Sequence, residues 1–287
     1  MTKNVIFGAA TGGKEVANKL LNNGGGGQNK ILFFVDNDSK KHGQMLRIQD
    51  REYEIKSPNT LLATEFDKVI IGSICGEDIL RQLQEELKIP KTKIDDFLIK
   101  NYHQTLETFL NNFATICKTY NLKGNIAELG VYQGDTAKRM NQILKDKKLF
   151  LFDTFEGYDV QDINTSKDLE AVNFGANHLN NTSLELVLNK MPYPDNIIIK
   201  KGWFPQTTNG LENEQFCFVD IDVDLYAPTL AGLEFFYPRL VRGGMIMLSY
   251  FAPHIGNKQA VEEFQKRHHF QIIPLGIPNR AAIIKLD

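Results

Sequence analysis

Cysteine is scarce. Cys75, Cys117 and Cys217 are the only three in 287 residues. They are odd in number, far apart and without metal-ligand spacing. That excludes a disulfide-stapled fold and a cysteine zinc site, and leaves reduced thiols in a cytoplasmic protein as the expectation. No apolar run approaches the roughly 20 residues that a bilayer requires, so no membrane partner is expected. The opening MTKNVIFGAATGGK has too short an apolar stretch for a signal peptide. A basic excess is also missing: 33 Lys+Arg stand against 35 Asp+Glu, a formal charge of −2. The chain therefore lacks the electrostatic footprint of a nucleic-acid binder. What remains is a globular balance, 42% apolar, 10% aromatic and 24% charged, which rules out wholesale disorder. At roughly 150 residues per domain, this length makes one large domain or two ordinary ones.

Two stretches open alike, with a strand, a glycine turn, a helix, and a strand ending in an acid. The first runs from Asn4-Val-Ile-Phe-Gly8 through Gly12-Gly13 and a helix near 14–21 to Ile31-Leu-Phe-Phe-Val-Asp36. The second runs from Asn125-Ile-Ala-Glu-Leu129 through Gly130 and Gly134 and a helix near 136–144 to Leu149-Phe-Leu-Phe-Asp153. Apolar runs bounded by turn residues fit strands buried on both faces of a parallel sheet. Two such units imply two α/β domains. The first is a Rossmann-like domain over 1–100, continuing through a strand at 68–72 and a helix near 77–87 that Pro90 stops. Residues 36–69 hold short elements that the pattern does not place. The glycine-rich stretch 22–29 is a flexible loop.

Over 101–122 the apolar residues Leu106, Phe109, Leu110, Phe113, Ile116 and Cys117 recur every three or four positions. One amphipathic helix follows, a link between domains or a lid over the second sheet. The second domain then occupies 123–287. Its strands fall near 125–129, 148–153, 196–200, 215–222 and 244–249, with a last pair near 269–273 and 280–286. The connection inside that pair is too short for a crossover, so the two strands are antiparallel neighbours. Five parallel strands closed by an antiparallel hairpin is the seven-stranded arrangement of class I S-adenosylmethionine-dependent methyltransferases.

In Glu128-Leu-Gly130-Val-Tyr132-Gln-Gly134, glycine past a strand permits a sharp turn and close approach of a ligand. The following helix offers unpaired N–H groups to an anionic group. Asp153, 23 residues after Gly130, stands where an acid accepts from ribose hydroxyls. This spacing does not separate a nicotinamide cofactor from a methyl donor. The first turn, Gly8-Ala-Ala10-Thr-Gly12-Gly13, matches a dinucleotide loop only approximately, because Ala10 replaces the middle glycine.

Asp220, Asp222 and Asp224 alternate along Phe216–Tyr226. Three unpaired carboxylates inside a covered sheet are costly. The expected solution is a strand that ends near Asp222, with the acids emerging at its carboxyl edge. Such a cluster either holds a hard cation or leaves one acid with a raised pKa fit for base work. The plainer reading is a helix start before Pro228, with Asp224 as its cap. Lys201-Gly202-Trp203-Phe204-Pro205 carries the only tryptophan, either an adenine wall or a core anchor.

These motifs together resemble the macrocin O-methyltransferase family. The matching stretches are Asn125–Gly134, Phe152-Asp153-Thr154-Phe155-Glu156-Gly157, Lys201–Phe204, Asp222–Tyr226, Tyr237–Leu240 with Gly243-Gly244, and Gly256-Asn257 with Ala260–Phe264. They cover roughly 120–287; the first 100 residues lie outside them. The resemblance implies S-adenosyl-L-methionine as methyl donor and a sugar hydroxyl as acceptor, on a nucleotide-activated sugar or a surface-polysaccharide intermediate. It implies cofactor contacts at Glu128, Gly130, Tyr132, Gly134, Asp153, Thr154, Phe155, Gly202, Trp203 and Asp222. Family members that bind magnesium use the acid matching Asp224 and an Asp-Asp pair after the next strand. Here Ser249-Tyr250 replaces that pair, so the metal is in question, with His254 or Asp222 as substitutes. Candidate catalytic groups are His178, in the long loop 157–181, and Asp224 as bases, and Tyr250 as a donor to the acceptor. Two other functions remain open: an NAD-dependent nucleotide-sugar oxidoreductase or epimerase using the first turn, and a non-catalytic binding protein. A homodimer is the base-rate expectation.

Overall fold

The computed structural model describes residues 1–23, 29–74, 76–163, 179–251 and 255–286. It divides into two compact units, Met1–Gln104 and Thr105–Asp287.

The first unit has six strands: β1 (Thr2–Phe7), β2 (Asn29–Val35), β3 (Met45–Ile48), β4 (Arg51–Lys56), β5 (Lys68–Ile71) and β6 (Ile94–Asp95), in the order β3-β4-β2-β1-β5-β6. All neighbours are parallel except the β3–β4 hairpin. That hairpin fills much of the interval the sequence pattern left unassigned. Its strands are short, and its turn at Gln49-Asp50 lacks the glycine of the favoured two-residue turns, although Gln49 does take φ 56. Val5, Phe7, Val35, Val69 and Ile71 form one buried layer and Ile6, Phe34 and Ile55 the other.

The turn after β1 is built by packing. Gly8 has φ +106, and a Cβ on Gly12 would overlap the carbonyl of Gly72. Asp36 accepts from the backbone N–H of Ala9 and of Asp38, both at 2.9 Å, and from Lys41 Nζ at 3.1 Å. The glycines and the acid that pointed to a dinucleotide are thus used within the fold.

The helix Phe97–Thr119 starts four residues earlier than the periodicity implies. In the second unit it buries Leu106, Leu110, Phe113 and Cys117, and Phe113 meets Phe218 with ring centroids 5.1 Å apart. It therefore covers the second sheet. Cys117 and Cys217 are buried free thiols; Cys75 lies outside the described residues.

The second sheet comprises β7 (Asn125–Leu129), β8 (Leu149–Asp153), β9 (Ile197–Lys201), β10 (Phe216–Ile221), β11 (Leu240–Leu248), β12 (Ile273–Pro274) and β13 (Ala281–Ile284). Its order is β12-β13-β11-β10-β7-β8-β9. Strands β7 to β11 are mutually parallel, and β13 is antiparallel to β11 and β12, as the short final connection requires. Every residue of β10 is buried, and Phe150, Phe152, Phe216 and Phe236 pack edge to face below it. From β7 the chain steps to β8 on one side, while β10 lies on the other. Ligands of such sheets sit at that switch, beyond the carboxyl ends of the strands.

Candidate active site

A cleft of ≈ 660 Å³, counted with its open mouth, lies at this switch point. Gly130, Tyr132, Asp153, Thr154, Gly202, Trp203, Asp222 and Asp224 all line it. These eight of the residues expected from the sequence come together. Glu128, Gly134, Phe155 and Tyr250 are not among its lining residues. His178 and His254 lie outside the described residues.

Gly130 follows β7 with φ +87, and a Cβ there would overlap the Asp222 carbonyl and come within 2.9 Å of Val223 Cγ1. The loops after β7 and β10 approach closely only because this residue is glycine. Backbone bonds hold the approach: Asp222 N–H to Leu129 O at 2.8 Å and Gly130 N–H to Phe152 O at 3.0 Å. Gly134, at φ +80, precedes the helix Asp135–Ile143.

Asp153 organises the loop. Its Oδ2 accepts from the N–H of Val131 at 2.6 Å and of Tyr132 at 2.9 Å, and its Oδ1 from the N–H of Phe155 at 2.6 Å. Tyr132 and Phe155 hold φ of 50 and 55, a region that costs a side-chain-bearing residue about 1 kcal/mol. The carboxylate offsets that strain. Thr154 Oγ1 is 3.4 Å from Oδ1 but has one hydrogen, directed to Gly157 O at 2.6 Å. A carboxylate has about four acceptor positions. Three are filled by N–H groups, which leaves the fourth on Oδ1. Asp36 in the first unit clamps its loop in the same manner, so the recurring strand–glycine–acid pattern is first a structural device.

Trp203 lines the cleft, and its Nε1 donates to Asp162 Oδ1 at 3.0 Å. It is a wall of the cleft, fixed by a partner that the sequence pattern did not indicate. Tyr158 is a second such residue: its hydroxyl donates to Asp224 Oδ2 at 3.3 Å. Asp224 itself has φ 58. It does not cap the following helix, Tyr226–Phe236, whose N-cap is Leu225. Tyr250 is not among the residues that line the cleft. Burial pushes its hydroxyl pKa up, and the Glu262 carboxylate, which it hydrogen-bonds, adds to the rise.

The acids of β10 correct the sequence reading most. Asp220 does not emerge; it is fully buried. Its compensation is Arg280, buried just before β13, whose Nη1 donates to Asp220 Oδ1 at 3.0 Å and Nη2 to Asp222 Oδ2 at 2.6 Å. Ser249 Oγ donates to Asp222 Oδ1. Burial still pushes Asp220 up to about 7, against the pull of Arg280. Glu128, its register partner on β7, is pushed well above the usual carboxylate range, first by burial and then by Asp220 and Asp222. Glu128 Oε2 and Asp220 Oδ2 lack hydrogen-bond partners among the described residues. A signal for Arg280 was present only as one cation at the start of the last strand.

Magnesium does not fit this set. Among the described residues no group of three or more His, Cys, Asp or Glu side chains could hold a metal ion. Asp222 carries the Arg280 guanidinium on one oxygen and Ser249 Oγ on the other, and that resident positive charge opposes a second cation beside it.

Comparisons agree with this geometry. Residues 76–277 match the family model described as Macrocin-O-methyltransferase (TylF), and residues 1–95 match a model described as C2185-like, N-terminal. The 8-demethyl-8-(2,3-dimethoxy-alpha-L-rhamnosyl)-tetracenomycin-C 4'-O-methyltransferase of Streptomyces olivaceus is 25% identical over 159 residues, 50% of this chain and 59% of that protein. The mycinamicin III 3''-O-methyltransferase of Micromonospora griseorubida is 28% identical over 160 residues, 50% and 61% of the two chains. The chain thus spans less than two thirds of the length of these curated relatives. Among solved structures, the O-methyltransferase NovP superposes with a TM-score of 0.56 at 20% identity, over 63% of this chain and 79% of that one. The fold of the second unit is therefore that of an O-methyltransferase. No helix of the described residues is long and apolar enough to cross a membrane.

Proposed function

The chain belongs to the macrocin O-methyltransferase family, and from that membership we propose that it transfers a methyl group from S-adenosyl-L-methionine to a sugar hydroxyl. The observation that carries this reading is the cleft itself. It joins the Gly130 turn, one open acceptor position on Asp153, the Trp203 wall and the Asp224 carboxylate at the carboxyl edge of the sheet.

Bound S-adenosylmethionine supplies an electrophilic methyl group on a sulfonium. Asp153 Oδ1 accepts from a ribose hydroxyl. Trp203, fixed by Asp162, walls the purine. Glu128 and Gly134 act behind the cleft, Glu128 as a buried acid paired in register with Asp220 and Gly134 by opening the helix. Phe155 keeps Asp153 oriented through its N–H. Asp224 receives the proton of the acceptor hydroxyl, and the Tyr158 hydroxyl keeps that carboxylate turned into the cleft. His178 is the second candidate for this proton. Alignment of acceptor oxygen and methyl group supplies most of the rate, and the base adds to it.

The rhamnosyl group in one relative's name supports a sugar acceptor. We assign as carrier a nucleotide-activated sugar or a surface-glycan intermediate. The test is transfer of labelled methyl to nucleotide-sugars, glycan fragments and free deoxysugars. Asp224→Asn should lower kcat about 10²–10⁴-fold. If His178→Ala causes that loss instead, His178 is the base. Absence of transfer to every sugar acceptor, with S-adenosylhomocysteine still bound, overturns the reading.

A further inference from the structure

Four acids gather at the carboxyl edge of the sheet: Glu128 and Asp220 buried in β7 and β10, and Asp222 and Asp224 just beyond β10, lining the cleft. Carboxylates gathered away from water need positive charge. A cluster of this kind meets that need with a cation taken from solution or with one built into the chain. Here the charge comes from the chain. The Arg280 side chain is only 4% exposed, and one guanidinium edge reaches both acids, Asp220 at 3.0 Å and Asp222 at 2.6 Å.

The fold dictates this placement. β13 is antiparallel to β11 with Ala281 opposite Leu248, so β13 begins where β11 ends. The residue before Ala281 therefore stands at the carboxyl edge of the sheet, one strand away from β10. A tight turn fixes it there: Arg280 N–H donates to Ile277 O at 3.2 Å, and Leu275 N–H to Arg280 O at 3.0 Å. Phe251 N–H to Asn279 O, at 3.0 Å, ties the turn to the segment after β11. Ser249 occupies the remaining Asp222 oxygen, and Asn257 Nδ2, at 3.4 Å from Ser249 O, braces it.

We infer that Arg280 is the resident cation of this site, a positioning residue that neutralises Asp220 and Asp222, holds Asp222 against the cleft, and excludes a divalent metal from these acids. A guanidinium has a fixed fork of donors and stays charged at every physiological pH. It provides permanently what a bound ion provides only when loaded. Arg280's part in methyl transfer rests on the methyltransferase reading above; its exclusion of a metal does not.

The test is titration of the full chain with Mn²⁺, followed by the electron paramagnetic resonance signal of the free ion. The wild-type chain should show no saturable binding at millimolar Mn²⁺. Arg280→Ala uncovers Asp220 and Asp222, and its Mn²⁺ affinity should rise at least about tenfold, because such affinity follows the charge count of the ligands. Adding Asp222→Asn to that variant should abolish the gain. Saturable Mn²⁺ binding by the wild-type chain overturns the inference, and so does a folded Arg280→Ala variant with no gain. If that variant does not fold, Arg280→Gln, which keeps the length and a hydrogen-bond donor but not the charge, is titrated in its place, and the same gain is required of it. Methyl transfer measured with and without chelator is the separate readout: equal rates are expected, while a chelator-sensitive rate contradicts Arg280's role.

Discussion

Replacing Asp153 by alanine separates two roles of one carboxylate. In the structure it accepts three backbone N–H groups, two of them, from Val131 and Phe155, on residues that are themselves buried. Each orphaned buried donor costs about 1–3 kcal/mol. Tyr132 is only half-buried, and the loop can relax toward negative φ at Tyr132 and Phe155. The net loss should then be about 2–4 kcal/mol, well short of the ~5–15 kcal/mol of a typical domain. Urea denaturation should show a lower midpoint at unchanged slope. Calorimetry should show S-adenosylhomocysteine binding lost together with that stability, because the loop that holds the ligand is the loop that relaxes. Asp153→Asn keeps one oxygen and should fall between. Asp36→Ala, which removes the equivalent clamp in the first unit, should destabilise without altering ligand affinity. A stable Asp153→Ala chain that has lost only ligand binding would refute the reasoning, because the acid would then act on the ligand and not on the loop.

Gly130→Ala forces a Cβ into the Asp222 carbonyl at φ +87, so it should cost more than the ~1–2 kcal/mol of left-handed backbone alone and abolish ligand binding; unchanged thermal melting would contradict the close approach of the two loops. Glu128→Gln should stabilise the fold increasingly as pH rises. The folded-state pKa of Glu128 is raised, so the native chain favours the protonated acid, and stability falls as pH climbs above the unfolded value. The amide removes that loss. Denaturation midpoints at pH 5 and pH 8 check this, and equal effects at both would contradict a raised pKa.

The second sheet was readable because its strands are unbroken apolar runs, Leu149–Asp153 and Phe216–Ile221 above all, and because the last connection was too short to cross over. The cleft was readable to the extent that its residues sit at strand ends and turn glycines in sequence: Gly130, Gly202 and Trp203 at turns, and Asp153 at the end of a strand. Asp153's backbone contacts were not, since no local pattern shows what an acid accepts. The hairpin at 45–56 was hidden by its glycine-free turn. Arg280 was hidden by separation, since it lies 60 residues from Asp220 in the chain and meets it only through the antiparallel pairing of β13 with β11. Buried charge is a property of the folded neighbourhood. Alternating acids on β10 announced the problem, and only the topology shows its solution.

The most direct measurement is isothermal titration of the wild-type chain with S-adenosylhomocysteine and, in parallel, with NAD. One molecule of S-adenosylhomocysteine per chain, displaced by S-adenosylmethionine and lost in Gly130→Ala, with no heat from NAD, is the predicted result. Binding of NAD with none of S-adenosylhomocysteine would contradict the methyl-donor assignment of the cleft.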